Sequence, residues 1–210
     1  AQPPLYRVKK GNSENYLLDD KELTKYLLNN NRDELEFSLY NKEKKINLKE
    51  EELNQFIDLA ARANSAYQNL DLTHLDYQFF DQIINTSIFM EDFNPKTINK
   101  NTFKDFLSNL NSIKKEEGLK FTFQDLVSNN LIFLKDKDGY KKIIKLPLDK
   151  LMNIRNFILL ENMKLMNEKG FNKSTDIRFG ITKINSKEIM PCYGLVEFFN
   201  ILFEMSKKGQ

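Results

Sequence analysis

Near residue 48 the apolar residues change their period. Before that point Leu35, Phe37 and Leu39 alternate with polar neighbours, as in a strand with one buried face, and residues 42–48 can return beside them. After it, Leu53, Phe56, Ile57, Ala60, Ala61 and Tyr67 fall at helical spacing, with three glutamates in the first turn and Asn47 as the expected cap. A chain that writes both periods in separate blocks has to bury a sheet face and helix stripes together. The predicted fold class is therefore α+β, with grouped helices and antiparallel hairpins.

The other segments follow the same two periods. At the start, Leu5, Arg7 and the stretch Asn15-Tyr16-Leu17 read as two strands joined by the turn Lys9-Lys10-Gly11-Asn12. Asp19 or Asp20 then caps a short helix carrying Leu23, Tyr26 and Leu27. A second long stripe comprises Leu72, Leu75, Phe79, Phe80, Ile83, Ile84 and Ile88, and Pro95 breaks the chain after it. A third helix carries Phe103, Phe106, Leu107, Leu110 and Ile113 and stops at Gly118.

Strands are expected at Phe121 and Phe123, at 131–134 and at 140–146, with Asp138-Gly139 as a tight hairpin turn. Asp149 is the expected cap of a helix bearing Leu151, Ile154, Ile158, Met163 and Leu165 and ending at Gly170. Ile177, Phe179 and Ile181 alternate as a strand, and Leu195, Phe198, Phe199 and Leu202 form a last helix that stops at Gly209. There is no internal repeat and no long linker. A break near residues 91–100 would separate two lobes.

With 210 residues, 40% of them hydrophobic and seventeen of them Phe, the chain has enough apolar surface for a core. Its 32 basic and 30 acidic residues leave a net charge of +2, so overall charge makes no case for a nucleic-acid binder, although a local patch stays open. Cys192 is the only cysteine, which rules out an intrachain disulfide and suits a reducing setting. No apolar run reaches the roughly 18–20 residues of a membrane span. The first residues lack the charged start and apolar stretch of a secretion signal.

Few motifs carry chemistry. Residues 134–140, LKDKDGY, suggest a cation loop, but the end positions of an EF-hand are occupied by Leu134 and Lys145, and the flanking strands explain Asp138-Gly139 as a turn. His74 is the sole histidine and follows Thr73 at the start of an apolar helix, a capping or surface position. Cys192, between Pro191 and Tyr193, reads as a small packing residue. Among seven glycines no phosphate-cradling loop occurs. The mixed runs at 41–45 and 114–117 read as solvated faces. These residues show no catalytic centre.

The opening QPPLYRVKKGNSENYLLDD resembles the end of the TOPRIM domain in the B subunit of DNA gyrase. Gln2, Pro3, Pro4, Leu5, Tyr6, Arg7, Val8, Lys9, Lys10 and Gly11 match its Q-P-P-L-Y-[KR]-V-K-K-G stretch, and Tyr16, Asp19 and Asp20 continue the match. Residues 131–146 with Pro147-Leu148-Asp149 resemble a passage late in the large insert of many Gram-negative gyrase B subunits. The last helix resembles the one that returns the chain to TOPRIM. The related topoisomerase IV subunit reaches its K-G-L-G-E-M motif after a few dozen residues, and no such motif occurs here. The middle of the chain rests on its place between these flanks.

The resemblance implies a piece of a longer subunit: a TOPRIM tail at 1–30, an inserted domain at 31–190 and a returning helix at 191–210. It implies a parent enzyme that is an ATP-hydrolysing type II topoisomerase, introducing negative supercoils by double-strand passage. The parent would use magnesium and ATP, held by motifs absent from this sequence, and this piece would hold no cofactor and be catalytically silent. Implied partners are the gyrase A subunit, the rest of the B subunit and duplex DNA, in a bacterial, cytoplasmic, nucleoid-associated setting. The insert is expected to buttress TOPRIM and help position DNA, with Lys9, Lys10, Lys207 and Lys208 as candidate phosphate contacts. The alternatives are a stand-alone DNA-binding or protein-interaction module, or a small enzyme using His74 or Cys192.

Overall fold

The computed structural model describes residues 6–208 apart from 11, 31, 71–74, 85–93, 155, 157, 159 and 172–176. The chain forms two compact units, one made of residues 1–65 and 167–210, the other of 66–166. The second unit is thus inserted into the sequence of the first, and the expected break at 91–100 lies within it. The α+β class holds, with every strand pairing antiparallel.

The first unit begins with a hairpin, β1 (Tyr6–Lys10) on β2 (Ser13–Leu17). Its ladder runs to Lys10 opposite Ser13, so Lys9 and Lys10 are strand residues and the turn is shorter than the sequence suggested. Helix α1 (Asp20–Asn30) follows, capped by Asp19, whose Oδ1 accepts the Glu22 amide at 2.8 Å. Glu22 reaches back to the Leu18 amide at 2.6 Å, which fixes the entry of the chain into the helix.

Strands β3 (Leu35–Tyr40), β4 (Lys45–Asn47), β8 (Arg178–Lys183) and β9 (Ile189–Cys192) form a sheet in the order β4-β3-β8-β9. Asn47 pairs with Ser38 inside this sheet rather than capping the next helix. That helix, α2 (Glu50–Asn69), starts after Lys49, whose carbonyl accepts the Leu53 amide at 2.8 Å. Phe56 of α2 meets Phe179 of β8 at 5.4 Å, and Phe179 stacks on Phe198 of α7 (Leu195–Lys208) at 4.5 Å. All three rings are buried, so α2 and α7 both close on the Phe179 side of β8. Gly180 lies opposite Ser38, and a Cβ there would come within 2.7 Å of the Ser38 hydroxyl and 3.0 Å of the Tyr40 ring. Only a residue without a side chain fits this crossing.

The run at 41–45 is more organised than a solvated face. Asn41 Oδ1 accepts the Glu43 and Lys44 amides at 2.9 and 2.7 Å, shaping the turn between β3 and β4. Lys44 donates to the Lys169 carbonyl at 2.8 Å and lies 5.1 Å above the Phe171 ring.

The second unit is built on phenylalanine. Helices α3 (Tyr77–Ile84) and α4 (Lys104–Lys114) accompany a meander of β5 (Leu119–Val127), β6 (Asn130–Lys137) and β7 (Tyr140–Pro147). Phe79 lies 5.1 Å from Phe133, 5.2 Å from Phe121 and 5.4 Å from Phe106, while Phe103 lies 4.8 Å from Phe123 and 5.2 Å from Phe133. Burying each ring is worth about 1.5–3 kcal/mol, with edge-to-face contacts adding about 0.5–1.5 kcal/mol per pair.

Asp138 and Gly139 both take positive φ, 51° and 91°, so the expected hairpin turn is there. A second turn of the same hand, Ser128-Asn129 at φ 47° and 63°, joins β5 to β6. Gly118 ends the α4 region at φ 71°, after a short 3-10 turn. Asp149 is the second residue of α5 (Leu148–Ile154), which β7 enters directly, so it is not the cap. A separate helix, α6 (Leu160–Glu168), precedes Gly170.

Candidate functional site

The opening hairpin has two chemically distinct faces. Alternation puts Tyr6, Val8, Asn15 and Leu17 on one side and Arg7, Lys9, Glu14 and Tyr16 on the other. Val8 and Leu23 are buried together, with Tyr6, Leu17, Tyr26 and Phe203 around them. Tyr6 meets Phe203 of α7 edge-on at 6.4 Å, and Asn15 donates to the Tyr26 hydroxyl at 3.5 Å. Helix α1 is tied in turn to α2, where Asp58 takes Lys25 at 2.7 Å and Lys21 at 3.9 Å. The inner face of the hairpin is therefore committed to helices of its own unit.

The outer face is open. Arg7 pairs with Glu14 at 2.5 Å, and the Tyr16 hydroxyl donates to the other oxygen of Glu14 at 3.3 Å. Lys9 is exposed and lies directly opposite Glu14. Tyr16 and Leu18 are more than half exposed, so this face presents aromatic and apolar surface beside its charges. Lys10 ends β1, and Lys207 and Lys208 end α7. Tyr6 and Phe203 join the two elements; Lys9 and Lys10 lie beyond that contact along β1, Lys207 and Lys208 beyond it along α7. Of the motif residues, Gln2, Pro3, Pro4, Leu5 and Gly11 lie outside the described residues, as does His74.

The other candidates have structural explanations. Cys192 is fully buried opposite Phe179 at the end of β9. In LKDKDGY, Asp136 Oδ1 accepts the Gly139 amide at 2.9 Å and stabilises the turn. Among the described residues no group of three or more His, Cys, Asp or Glu could hold a metal ion, and no helix is long and apolar enough to cross a membrane.

Two arrangements in the second unit were not anticipated. Lys114, expected on a solvated face, is buried and bonded to Asp76 at 2.7 Å, with Glu117 at 3.4 Å. Burial pulls the Lys114 pKa down, but the hydrogen bond and charge of Asp76, aided by Glu117, outweigh it and hold it above the ordinary lysine value. Asp76 also caps α3, its Oδ1 accepting the Gln78 amide at 2.7 Å. Beside this pair is an open cleft of about 680 Å³, lined by Leu75, Asp76, Lys135, Lys137, Asp138, Tyr140 and Lys142. The sequence held a signal for it: a two-residue turn at 138–139 pairs 137 with 140 and hence 135 with 142.

Residues 4–29 match the family described as GyrB, hook. The matched segment contains the hairpin and nearly all of α1, the elements whose apolar face closes on Phe203. Over its whole length the chain is similar to the B subunit of DNA gyrase from Rickettsia bellii (strain RML369-C), with 28% identity over 211 aligned residues. It spans 24% of the length of that curated relative. The hook match and the whole-chain similarity together support a gyrase B fragment.

Proposed function

We propose that this chain is a supporting part of the B subunit of an enzyme that introduces negative supercoils into DNA by ATP-dependent double-strand passage. In this reading ATP and magnesium are held elsewhere in the parent protein. The chain itself is a non-catalytic insert, entered through the hook hairpin and left through α7, that buttresses the TOPRIM domain and helps position DNA. Its partners are the remaining B subunit, the gyrase A subunit and duplex DNA in the bacterial cytoplasm. The observation that carries the reading is the hook match at residues 4–29, on a hairpin whose inner face is committed while its outer face stays open.

The test is a deletion within the full-length B subunit. Residues 31–190 are replaced by a short linker, with the hook and α7 retained, and the product is mixed with gyrase A. DNA cleavage trapped by a poison should survive, because its chemistry lies elsewhere, while ATP-dependent supercoiling should fall. Loss of cleavage together with ATP hydrolysis in a folded deletion variant would show that the segment carries chemistry and would refute the supporting role.

A further inference from the structure

We propose that the cleft beside β6 and β7 is a phosphate-binding site, built from Lys135, Lys137 and Lys142 with Tyr140 at its mouth. The proposal rests on the residues of the cleft and holds whether or not the reading above does. Lys135 and Lys142 lie directly opposite each other in the β6–β7 ladder, and Lys137 lies two residues along the same face, opposite Tyr140. Like charges placed directly across a sheet oppose folding, so the arrangement favours an anion between them. None of these three lysines makes an ion pair among the described residues.

Protection of a sheet edge does not account for them. Lysines on β7 would serve that purpose, since β7 is an edge strand, but Lys135 and Lys137 belong to β6, the central strand. Two acids share the cleft with the lysines. Asp76 is bonded to Lys114 and to the Gln78 amide, and Asp138, at the hairpin turn, leaves the three lysines in excess of the remaining carboxylate. Tyr140 is 82% exposed, which leaves its ring free to stack on a base. The cleft volume falls in the range of small-ligand sites. A phosphate group offers several acceptor oxygens and a full charge to the three lysines that line this cleft, where one carboxylate would satisfy fewer.

The phosphate can belong to a nucleic-acid backbone or to a free nucleotide or polyphosphate. The 210-residue chain is titrated with labelled single-stranded and duplex oligonucleotides, with ATP and with pyrophosphate, over a range of salt. Three phosphate contacts on a single strand predict a log–log salt slope of about −2. The triple variant Lys135→Gln, Lys137→Gln, Lys142→Gln should weaken binding tenfold or more and flatten that slope. The double variant Lys141→Gln, Lys145→Gln, on the other face of β7, should change binding less than twofold. Displacement of the oligonucleotide by pyrophosphate or ATP assigns a free phosphate ligand; resistance to both assigns the backbone. Absence of binding by every probe at low salt, or equal loss in the two folded variants, would overturn the site.

Discussion

Replacing Lys114 by Met should cost the second unit about 2–3 kcal/mol. The Lys114 side chain is 7% exposed and its partner Asp76 21%, so the pair is largely shielded from water, whereas Glu117 at 58% adds little. Breaking a fully buried pair costs about 3–5 kcal/mol, because a charge is left without a partner. Asp76 retains some water and the Gln78 amide, which places this case at or below the lower end. Methionine keeps the apolar stem in place and so isolates the lost charge. Adding Asp76→Asn preserves a capping side chain and removes the stranded charge, so the double variant should recover most of the loss. Urea denaturation followed by circular dichroism measures all four members of the cycle, with Lys115→Met as an exposed control within about 0.5 kcal/mol of the parent.

The same pair has a pH signature. The folded-state pKa of Lys114 is raised, so its contribution is complete below the ordinary lysine value and disappears as pH rises through the raised one. The parent should therefore lose alkaline stability that Lys114→Met never had. A Lys114→Met cost no larger than that of Lys115→Met would refute the buried pair.

Three further outcomes follow from the geometry. Asn111 accepts the Phe121 amide at 2.7 Å and donates to its carbonyl at 2.9 Å, acting as a ladder partner for β5; Asn111→Ala should cost about 2 kcal/mol in urea titration. Gly180→Ala should destabilise by about 1–3 kcal/mol, seen as a lower Tm, because the new methyl meets Ser38 and Tyr40. The Lys169 hydrogen bond holds the Glu52 carboxyl below its usual pKa, so its contribution is present above the ordinary glutamate value and lost as pH falls through the lowered one. Acid titration of Lys169→Met should lack that component of the loss.

Local chemistry made much of the fold legible. The Asp138-Gly139 turn, the alternation at Leu35, Phe37 and Leu39, and the stripe of α4 all act between residues close in sequence. The pairing of β3 with β8 does not, because their partners lie about 140 residues apart and leave no local mark. Strand β9 escaped notice because Pro191 interrupts it; as an edge strand, it tolerates a residue without an amide hydrogen. Lys114 follows Leu110 by one helical turn and so sits on the apolar face of α4, a position that the charge run around it concealed. The resemblance to gyrase B was readable because ten consecutive residues match a motif; the hook description comes from the family match alone. The lysine cleft required the hairpin register, since the three lysines come onto one face of the meander only once the turn pairs their strands.

For the proposed function the most direct measurement is supercoiling of relaxed plasmid by the full-length protein containing this chain, mixed with gyrase A, with and without ATP. The account predicts negative supercoils only when ATP is present, and no ATP hydrolysis by the 210-residue chain alone. A complete, folded parent protein that supports no supercoiling, or an isolated chain that hydrolyses ATP, would contradict it.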